Sequence, residues 1–163
     1  MGDPRRFHAF ADVVTQHIPR SSMLADVAGG KGYLQAALRE RGFRRITSWD
    51  RRGRTSYNRH GHRYGWFTVD IPTRYDAVVA MHPDEATDHC ILYAARHRLS
   101  ALISPCCVKP SAVGFWQAHT YALWCAHLEG LAHQHQMTVT WTTMPINGRN
   151  DVMILTPKAG AAI

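Results

Sequence analysis

Two acidic residues and three glycines form the clearest chemical pattern in the sequence. Asp26 ends a short apolar run, Gly29, Gly30 and Gly32 follow it, and Asp50 ends the next apolar run. Glycines let the backbone approach a ligand closely, and the N-terminus of a helix behind such a loop carries partial positive charge. An acid at the end of the second strand can hydrogen-bond both hydroxyls of a ribose. The pattern therefore predicts a site for a ligand that contains a nucleoside.

The spacing of these glycines excludes two common nucleotide-binding loops. A dinucleotide loop follows GxGxxG, but the segment that starts at Gly30 has Gln35 in the last position. The GxxxxGK loop of nucleoside triphosphate sites is absent from the sequence. A tight turn capped by Asp50 would explain the glycines alone. The coincidence of both acids with the glycines favours a cofactor site instead.

Reactive side chains follow two later apolar runs, at the places where parallel strands would end. They are His82, Asp84, Glu85, Cys106, Cys107 and Lys109. An imidazole can act as a general base towards a hydroxyl or ammonium acceptor, so His82 is the first candidate for that role. Asp84 or Glu85 could orient the imidazole or bind the acceptor, and Lys109 could hold a phosphate or lower a neighbouring pKa. The alternative role for His82 is a structural contact at a strand end.

The adjacent cysteines allow three interpretations. A thiolate of Cys106 or Cys107 could attack a pyrimidine ring, since positive charge from Lys109 would favour the thiolate. A metal site could form with His82, Asp84 and His89, but the spacing matches no zinc motif. The favoured interpretation is that these small, soft residues pack beneath a cofactor, because a buried cysteine behaves as a small hydrophobe. No bound metal is therefore expected.

Arginines and aromatic residues crowd the stretch that follows Asp50. The arginines are Arg51, Arg52, Arg54, Arg59 and Arg63, and the aromatic residues are Tyr57, Tyr64 and Trp66. Arginines can contact phosphates while aromatic rings stack on unpaired bases, so the stretch favours an RNA substrate, either tRNA or rRNA. The formal net charge of +7 agrees with a polyanionic partner. A solvated arginine-rich loop explains the same residues equally well.

The elements that would hold these residues alternate between strands and helices. Apolar residues at helical spacing predict helices over 5–18, 33–42, 83–98 and 113–135. Short apolar runs predict strands over 23–28, 45–50, 76–81, 100–104, 137–144 and 151–156. The turn at 147–150 is too short for a helical crossover, so the last two strands should be antiparallel. The rest should form a parallel sheet.

The size and composition fit one α/β domain over residues 1–163, with a leading helix within 1–20 and a flexible tail at 158–163. The chain has 163 residues and 45% apolar content, which is sufficient for a core. No apolar run approaches the roughly 20 residues needed to span a bilayer, and the start lacks the apolar stretch of a secretory signal. The four cysteines show no CxxC spacing and are expected to be reduced. These features predict a cytoplasmic protein without a membrane partner.

The segment Asp26-Val27-Ala28-Gly29-Gly30-Lys31-Gly32 resembles the first motif of class I S-adenosylmethionine-dependent methyltransferases, and the resemblance extends over nearly the whole chain. It implies a Rossmann-like three-layer sandwich with a mostly parallel seven-stranded sheet and a C-terminal antiparallel pair. It also implies that S-adenosyl-L-methionine is the cofactor, that Asp50 binds its ribose, and that Phe67–Ile71 is the third strand with Asp70 near the adenine. Ala28 departs from the family by replacing its first glycine.

A subgroup that includes eukaryotic tRNA 2'-O-methyltransferases has a His-rich Ala-Thr-Asp segment and a Cys-Cys pair, similar to His82–Asp88 and Cys106-Cys107 here. The resemblance implies cofactor contacts from Asp26, Ala28, Gly29, Gly30, Gly32, Asp50, Arg51, Asp70, Met81 and His82. The expected substrate contacts are Arg52, Arg54, Tyr57, Arg59, Cys106 and Cys107, and the expected catalytic residues are His82, Asp84 and Lys109. The predicted function is methyl transfer to RNA.

Two other functions are compatible with the same residues. A small-molecule methyltransferase would use the same cofactor site without an RNA-binding surface. A non-catalytic nucleic-acid-binding module would keep the fold and the basic stretch, but it has no need for the two acids and the glycines. Binding of S-adenosylmethionine separates the module from the enzymes, and salt-sensitive retention of RNA separates the two enzymes. The sequence leaves the oligomeric state open, with a homodimer as one alternative.

Overall fold

The polypeptide forms a seven-stranded sheet between two layers of helices. A computed structural model describes residues 5–52, 61–106 and 120–160. The strands are β1 (Met23–Val27), β2 (Arg45–Asp50), β3 (His62–Tyr64), β4 (Ala77–Met81), β5 (Ser100–Ser104), β6 (Met137–Thr143) and β7 (Asp151–Pro157). The helices are α1 (Arg6–His17), α2 (Tyr33–Glu40), α3 (Thr87–His97) and α4 (Tyr121–Gln134), and a 3₁₀ turn spans Asp84–Ala86.

The strand order confirms the fold class predicted from the sequence. The order across the sheet is β3-β2-β1-β4-β5-β7-β6. Neighbouring strands from β3 to β5 are parallel, whereas β7 is antiparallel to both β5 and β6. This is the Rossmann-like arrangement, with the predicted antiparallel pair at its C-terminal end. Its carboxyl edge has a switch point between β1 and β4, where the strand order reverses and ligands usually bind.

Side chains of the central strands alternate between two separate hydrophobic cores. Leu24 of β1 packs in the core formed with α1 and α2, while its neighbour Ala25 packs in the core formed with α3 and α4. In α1, Phe10 and Val14 are fully buried, which is the helical face predicted by the apolar spacing. In α4, Trp124 occupies the opposite core. Both faces of the parallel strands are thus covered, as such strands require.

The prediction of a third strand at Phe67–Ile71 is wrong, since β3 is His62–Tyr64. This strand lies at the edge of the sheet and pairs only with β2, and its side chains are half-buried or exposed. No apolar run therefore marks it in the sequence. Gly61 precedes it with a φ of +80°, and a Cβ there would lie 2.6 Å from the carbonyl oxygen of Ile46, so the approach to β3 requires glycine. No helix occurs within 61–74.

The third helix begins later than predicted. Pro83 was expected at its first position, but α3 begins at Thr87 after the 3₁₀ turn. The reason is local, because His82 and Asp84 have φ values of +55° and +51°, which an α-helix cannot contain. Residues at the end of β4 are therefore held in a loop beside the switch point.

The described part of the last helix starts at Tyr121, and the predicted portion over 113–119 lies outside the described residues. Thr120 caps this helix, since its hydroxyl accepts a hydrogen bond from the backbone N–H of Leu123 at 3.2 Å. The apolar spacing of this helix places Trp124, Leu131 and Leu123 on one inner face; Trp124 and Leu131 are buried, but Leu123 is 49% exposed. The spacing indicated the helix correctly, whereas one side chain of its first turn points to solvent.

Candidate functional site

Two neighbouring clefts open at the carboxyl edge of the sheet. The first cleft is lined by the apolar groups of Val27, Trp49, Phe67 and Ala86 together with Asp50, Asp84 and other polar residues that follow the strands. The second cleft is lined by Arg6, Phe7, Gly29, Lys31, Tyr33 and His82. Their empty volumes, counted out to the open mouths, are about 450 and 850 Å³, so the second cleft is the larger of the two. Ala28, Asp50 and Arg52 line both clefts, so the tip of β2 lies between them.

The glycine loop between β1 and α2 is folded by left-handed residues. Ala28, Gly30 and Gly32 have φ values of +59°, +54° and +80°. The N–H of Gly29 donates to the carbonyl oxygen of Trp49 at 3.0 Å, which holds the loop against β2. A Cβ on Gly29 would lie 2.7 Å from an Asp26 carboxylate oxygen, so this position has room only for glycine. Ala28 adopts a conformation that glycine prefers, which explains why the resembling family has glycine there.

Asp50 is buried at the tip of β2 and accepts hydrogen bonds with both carboxylate oxygens. The N–H of Gly30 donates to Oδ2 at 2.8 Å, and the N–H of Arg52 donates to Oδ1 at 2.7 Å. The Arg52 guanidinium donates as well, at 3.1 and 3.2 Å. Burial alone would raise the pKa of Asp50, but these bonds hold it below its usual value, so the carboxylate stays charged. The Arg52 side chain is 60% exposed and can leave the carboxylate when hydroxyl donors replace it.

Asp26 lies beneath the glycine loop and lines neither cleft. It is fully buried, and its Oδ2 accepts a hydrogen bond from the Ser48 hydroxyl at 2.6 Å. Its Oδ1 has no hydrogen-bond partner among the described residues. Burial raises the pKa of Asp26 to about 7, the Ser48 bond opposes this rise, and the charge of Asp50 adds to it. The structure thus assigns Asp26 a supporting position under Gly29 and not a surface position.

His82 ends β4 beside the second cleft, next to the glycine loop. Its imidazole hydrogen-bonds the backbone of Arg149, and its Nε2 is buried without a partner among the described residues. The backbone of Arg149 thus favours the protonated ring, against the effect of burial. Burial lowers the pKa of His82, the nearby charge of Arg6 lowers it further, and the Arg149 carbonyl and Asp84 oppose both effects. The ring is neutral at pH 7 and suits a general base.

Asp84 and Cys106 meet between the ends of β4 and β5. The thiol of Cys106 donates to Oδ1 of Asp84 at 3.2 Å. A neighbouring carboxylate opposes the thiolate form, so the contact argues against a nucleophilic role for Cys106. Two of the predicted site residues in this region, Cys107 and Lys109, lie outside the described residues.

The described arginines of the basic stretch contact other groups of the protein. The Arg51 guanidinium lies 4.7 Å from the centre of the Trp66 ring and 3.7 Å from a carboxylate oxygen of Glu85. Arg52 binds Asp50, and Arg63 lies 5.9 Å from the centre of the Trp49 ring. Arg51 and Arg52 therefore line the first cleft, whereas Arg63 does not. The other predicted substrate contacts of the stretch, Arg54, Tyr57 and Arg59, lie outside the described residues.

Asp70 was expected near the adenine, but the structure places it away from both clefts. Its side chain is 81% exposed and pairs with Arg96 of α3 at 3.0 Å. The expectation depended on a third strand at Phe67–Ile71, and that segment forms no strand. Phe67 instead is buried, with its ring centre 4.8 Å from that of Tyr93 and 5.9 Å from that of Trp49. The first cleft is therefore lined by the aromatic rings of Phe67 and Trp49 and not by the carboxylate of Asp70.

Several residues of the site were missed by the sequence analysis. They are Arg6, Phe7, Lys31, Tyr33, Trp49, Phe67 and Arg149. Arg6 and Phe7 belong to the first turn of α1, and nothing in their spacing shows that this turn reaches the switch point. Only Lys31 carried a signal, since it lies inside the glycine loop. Among the described residues, no group of three or more His, Cys, Asp or Glu side chains could hold a metal ion.

Solved structures with the same fold are methyltransferases that act on different substrates. Ribosomal protein L11 methylase from Lactobacillus delbrueckii subsp. bulgaricus has 13% sequence identity and a TM-score of 0.70 over 97% of this chain and 81% of its own. DesVI from Streptomyces venezuelae has 14% identity and a TM-score of 0.61 over 94% and 91% of the two chains. A Burkholderia thailandensis 1,6-didemethyltoxoflavin-N1-methyltransferase, solved with S-adenosylhomocysteine, has 16% identity and a TM-score of 0.61 over 96% and 79%.

These similarities establish the fold of the chain. No protein-family model matches the sequence, and no curated protein matches it either. At 13 to 16% identity, the chain shares the class I methyltransferase fold with these structures. A shared fold does not fix the substrate, because unrelated activities are built on the same scaffold.

Proposed function

We propose that this chain is an S-adenosylmethionine-dependent methyltransferase. The observation that carries the proposal is the position of Asp50, charged and buried between an aromatic-lined cleft and a glycine-loop cleft. An adenosine with an amino-acid tail has the same three parts in the same order: a flat base, a ribose with two hydroxyls, and a polar tail. When bound, this cofactor supplies a methyl group on a positively charged sulfur.

The residues of the two clefts fit the parts of such a cofactor. Trp49 and Phe67 offer apolar surface to the adenine, and Asp50 can accept both ribose hydroxyls once Arg52 withdraws. The backbone of Gly30 leaves space for the tail, because an added Cβ there would lie 3.9 Å from Asp50 Oδ2 and from an Arg52 guanidinium nitrogen, and both residues line the second cleft. The left-handed loop thus keeps the second cleft open beside Asp50.

His82 is the proposed general base for the acceptor. Burial lowers the pKa of its imidazole, so the neutral ring can take a proton from the hydroxyl or ammonium group of an acceptor. Asp84 stands two residues away, and its charge would stabilise the imidazolium that forms. Lys109 stays a prediction as a further catalytic residue.

The acceptor is proposed to be a small molecule, with RNA as the second candidate. The expectation of RNA depended on the arginine-rich stretch, and Arg51 and Arg52 are engaged with Glu85, Trp66 and Asp50. Of the structural neighbours, one is named as acting on a ribosomal protein and another on a toxoflavin precursor. Retention of total RNA at low salt that disappears at high salt would favour RNA instead.

Calorimetric titration with S-adenosylhomocysteine tests the cofactor assignment. The wild-type protein should bind it, and Asp50→Asn should bind it at least about tenfold more weakly, because hydrogen bonds to a charged acceptor are lost. Asp70→Asn is the matched control, since Asp70 is exposed and lies away from both clefts. Absence of wild-type binding at millimolar concentration would favour the non-catalytic module. If Asp70→Asn lowers the affinity for S-adenosylhomocysteine and Asp50→Asn does not, the expected adenine contact at Asp70 would be restored.

The remaining assignments concern partners and location. No helix in the described ranges is both long and apolar enough to cross a bilayer. A cytoplasmic location and a homodimer stay predictions. Sedimentation of the purified protein would determine the oligomeric state.

A further inference from the structure

The second cleft is larger than the cofactor tail requires. Its empty volume is about 850 Å³, against about 450 Å³ for the first cleft. If the proposed function is correct, the smaller cleft takes the adenine, which is bulkier than the amino-acid tail. The additional space lies next to His82, the proposed base. This space therefore belongs to the acceptor.

The wall of the second cleft carries uncompensated positive charge. Arg6 and Lys31 line it, and neither forms an ion pair or a side-chain hydrogen bond with another described residue. The first turn of α1 has no acidic residue that could neutralise Arg6. Asp50 is the only acidic residue among the described ones that line the cleft, and Arg52 already binds it. An anionic ligand would find two charges there that no described residue pairs with.

The same wall presents two aromatic rings. The ring centres of Phe7 and Tyr33 are 5.4 Å apart, and Tyr33 is 47% exposed. The Arg6 guanidinium lies 4.7 Å from the centre of the Phe7 ring, so ring and charge are neighbours on one surface. Exposed aromatic faces in a cleft stabilise a flat ligand by stacking and by burial of apolar area.

Arg6 and His82 also act on each other within this cleft. The charge of Arg6 contributes to the lowered pKa of His82, so the two side chains are close enough for electrostatic coupling. An anion bound to Arg6 would therefore place the adjoining part of the ligand near the proposed base. The wall thus combines an anchor, a flat surface and a proton acceptor.

We infer that the second cleft selects a planar aromatic acceptor that carries a carboxylate or phosphate, with Arg6 binding the anion and Phe7 and Tyr33 contacting the ring. The inference rests on the proposed function and names the substrate class of that site. The carboxylate of the cofactor tail is the competing source of an anion at Arg6. Lys31, in the glycine loop, remains available to that tail.

Binding of benzoate and of its neutral analogue benzamide tests the inference. Ligand-observed NMR would measure both affinities on the full chain saturated with S-adenosylhomocysteine. Wild-type protein should bind benzoate about tenfold more tightly than benzamide, which corresponds to one charge-assisted hydrogen-bonded pair. Arg6→Gln should remove this preference and leave the affinity for S-adenosylhomocysteine within about twofold. Arg44→Gln changes an exposed arginine that lines neither cleft, and it should alter neither affinity.

Each other outcome overturns the inference. Equal affinities for benzoate and benzamide, or no binding of either, would show that the cleft has no preference for aromatic anions. If Arg6→Gln lowers the affinity for S-adenosylhomocysteine but not for 5'-methylthioadenosine, which lacks the amino-acid tail, then Arg6 binds the cofactor tail. Failure of the proposed function gives a different result, because the wild-type protein would then not bind S-adenosylhomocysteine at all. In that case the preference for benzoate over benzamide can still be measured on the protein without S-adenosylhomocysteine.

Discussion

The two halves of the carboxyl edge differ in how their titratable side chains are held. At the ends of β1 and β2, both carboxylates accept hydrogen bonds: Asp26 from Ser48 through Oδ2, although its Oδ1 has no partner among the described residues, and Asp50 from Gly30 and Arg52. At the end of β4, the Nε2 of His82 has no partner among the described residues, although it is buried. A buried polar atom without a partner is rare in native proteins and calls for an explanation.

This difference separates a preformed support from a reactive group. The bonded carboxylates fix the shape of the glycine loop before any ligand arrives, which lowers the entropy lost when a ligand binds. The ring of His82 lines the second cleft and is the proposed proton acceptor. If the comparison is correct, substitutions in the first half should change stability and cofactor affinity, whereas substitutions in the second half should change turnover alone.

His82→Gln should have the largest effect. Loss of a general base lowers turnover by about 100- to 10,000-fold, while the affinity for S-adenosylhomocysteine should stay near wild type. Methyl transfer by the wild-type protein should increase with pH through a pKa below 6.5 and then level off, because burial disfavours the charged imidazole and only the neutral form accepts a proton. The pH profile of kcat measures both effects.

His135→Gln is the control for this variant, because His135 is exposed beyond the end of α4. It should keep both the turnover and the pH profile. If His82→Gln abolishes cofactor binding to the same degree as turnover, the two halves are not separate and the comparison fails.

Asp26→Asn should change how the free energy of unfolding depends on pH. Below pH 3.8 the carboxyl is protonated in both states, so its burial has no ionic cost. Between pH 3.8 and about 7, the unfolded chain loses the proton while the folded protein keeps it, so wild-type stability falls as pH rises. Asparagine never ionises, so the variant should gain roughly 3 kcal/mol over wild type between these limits. Urea unfolding at several pH values measures the difference, and parallel curves would contradict the burial of a titrating Asp26.

Gly29→Ala should distort the support directly. Its Cβ would lie 2.7 Å from Asp26 Oδ2 and 3.0 Å from the Ser48 Cβ, and both neighbours are buried. Overpacking of this kind costs about 1 to 3 kcal/mol of stability, and the affinity for S-adenosylhomocysteine should fall with it. Gly130→Ala is the control, because nothing lies within 4 Å of an added Cβ in α4. That variant should gain about 0.5 to 1 kcal/mol, as measured by thermal unfolding.

Ala28→Gly should have the smallest effect. Ala28 has a φ of +59°, and glycine adopts this conformation without the steric cost of a Cβ. The substitution should raise stability by about 1 kcal/mol or less, since the greater flexibility of glycine in the unfolded chain offsets part of the gain. Denaturant unfolding measures it. A clear loss of stability would show that the Ala28 methyl group packs in a way that outweighs the backbone strain.

The cofactor half could be read from the sequence because its signals are local. Gly29, Gly30 and Gly32 come directly after an apolar strand, and Asp50 ends the next strand, so the order of residues alone indicated the site. The fold was predictable for the same reason, since alternating apolar runs specify strands and helices. The third strand was not predictable from the sequence. It lies at the edge of the sheet and is held by backbone pairing with β2, so its half-buried and exposed side chains form no apolar pattern.

By itself, the sequence determined the layer order, the glycine loop and the acid at the tip of β2. Only the tertiary structure decided which side chains complete the site, since Arg6 comes from the first helix and Arg149 from the turn before β7, each more than sixty residues from His82 in the chain. The sequence also could not show which residue of the segment after β3 faces the site: Phe67 is buried beside Trp49, whereas Asp70 is exposed. Spacing specifies neighbours along an element, whereas contacts between elements depend on how the layers pack.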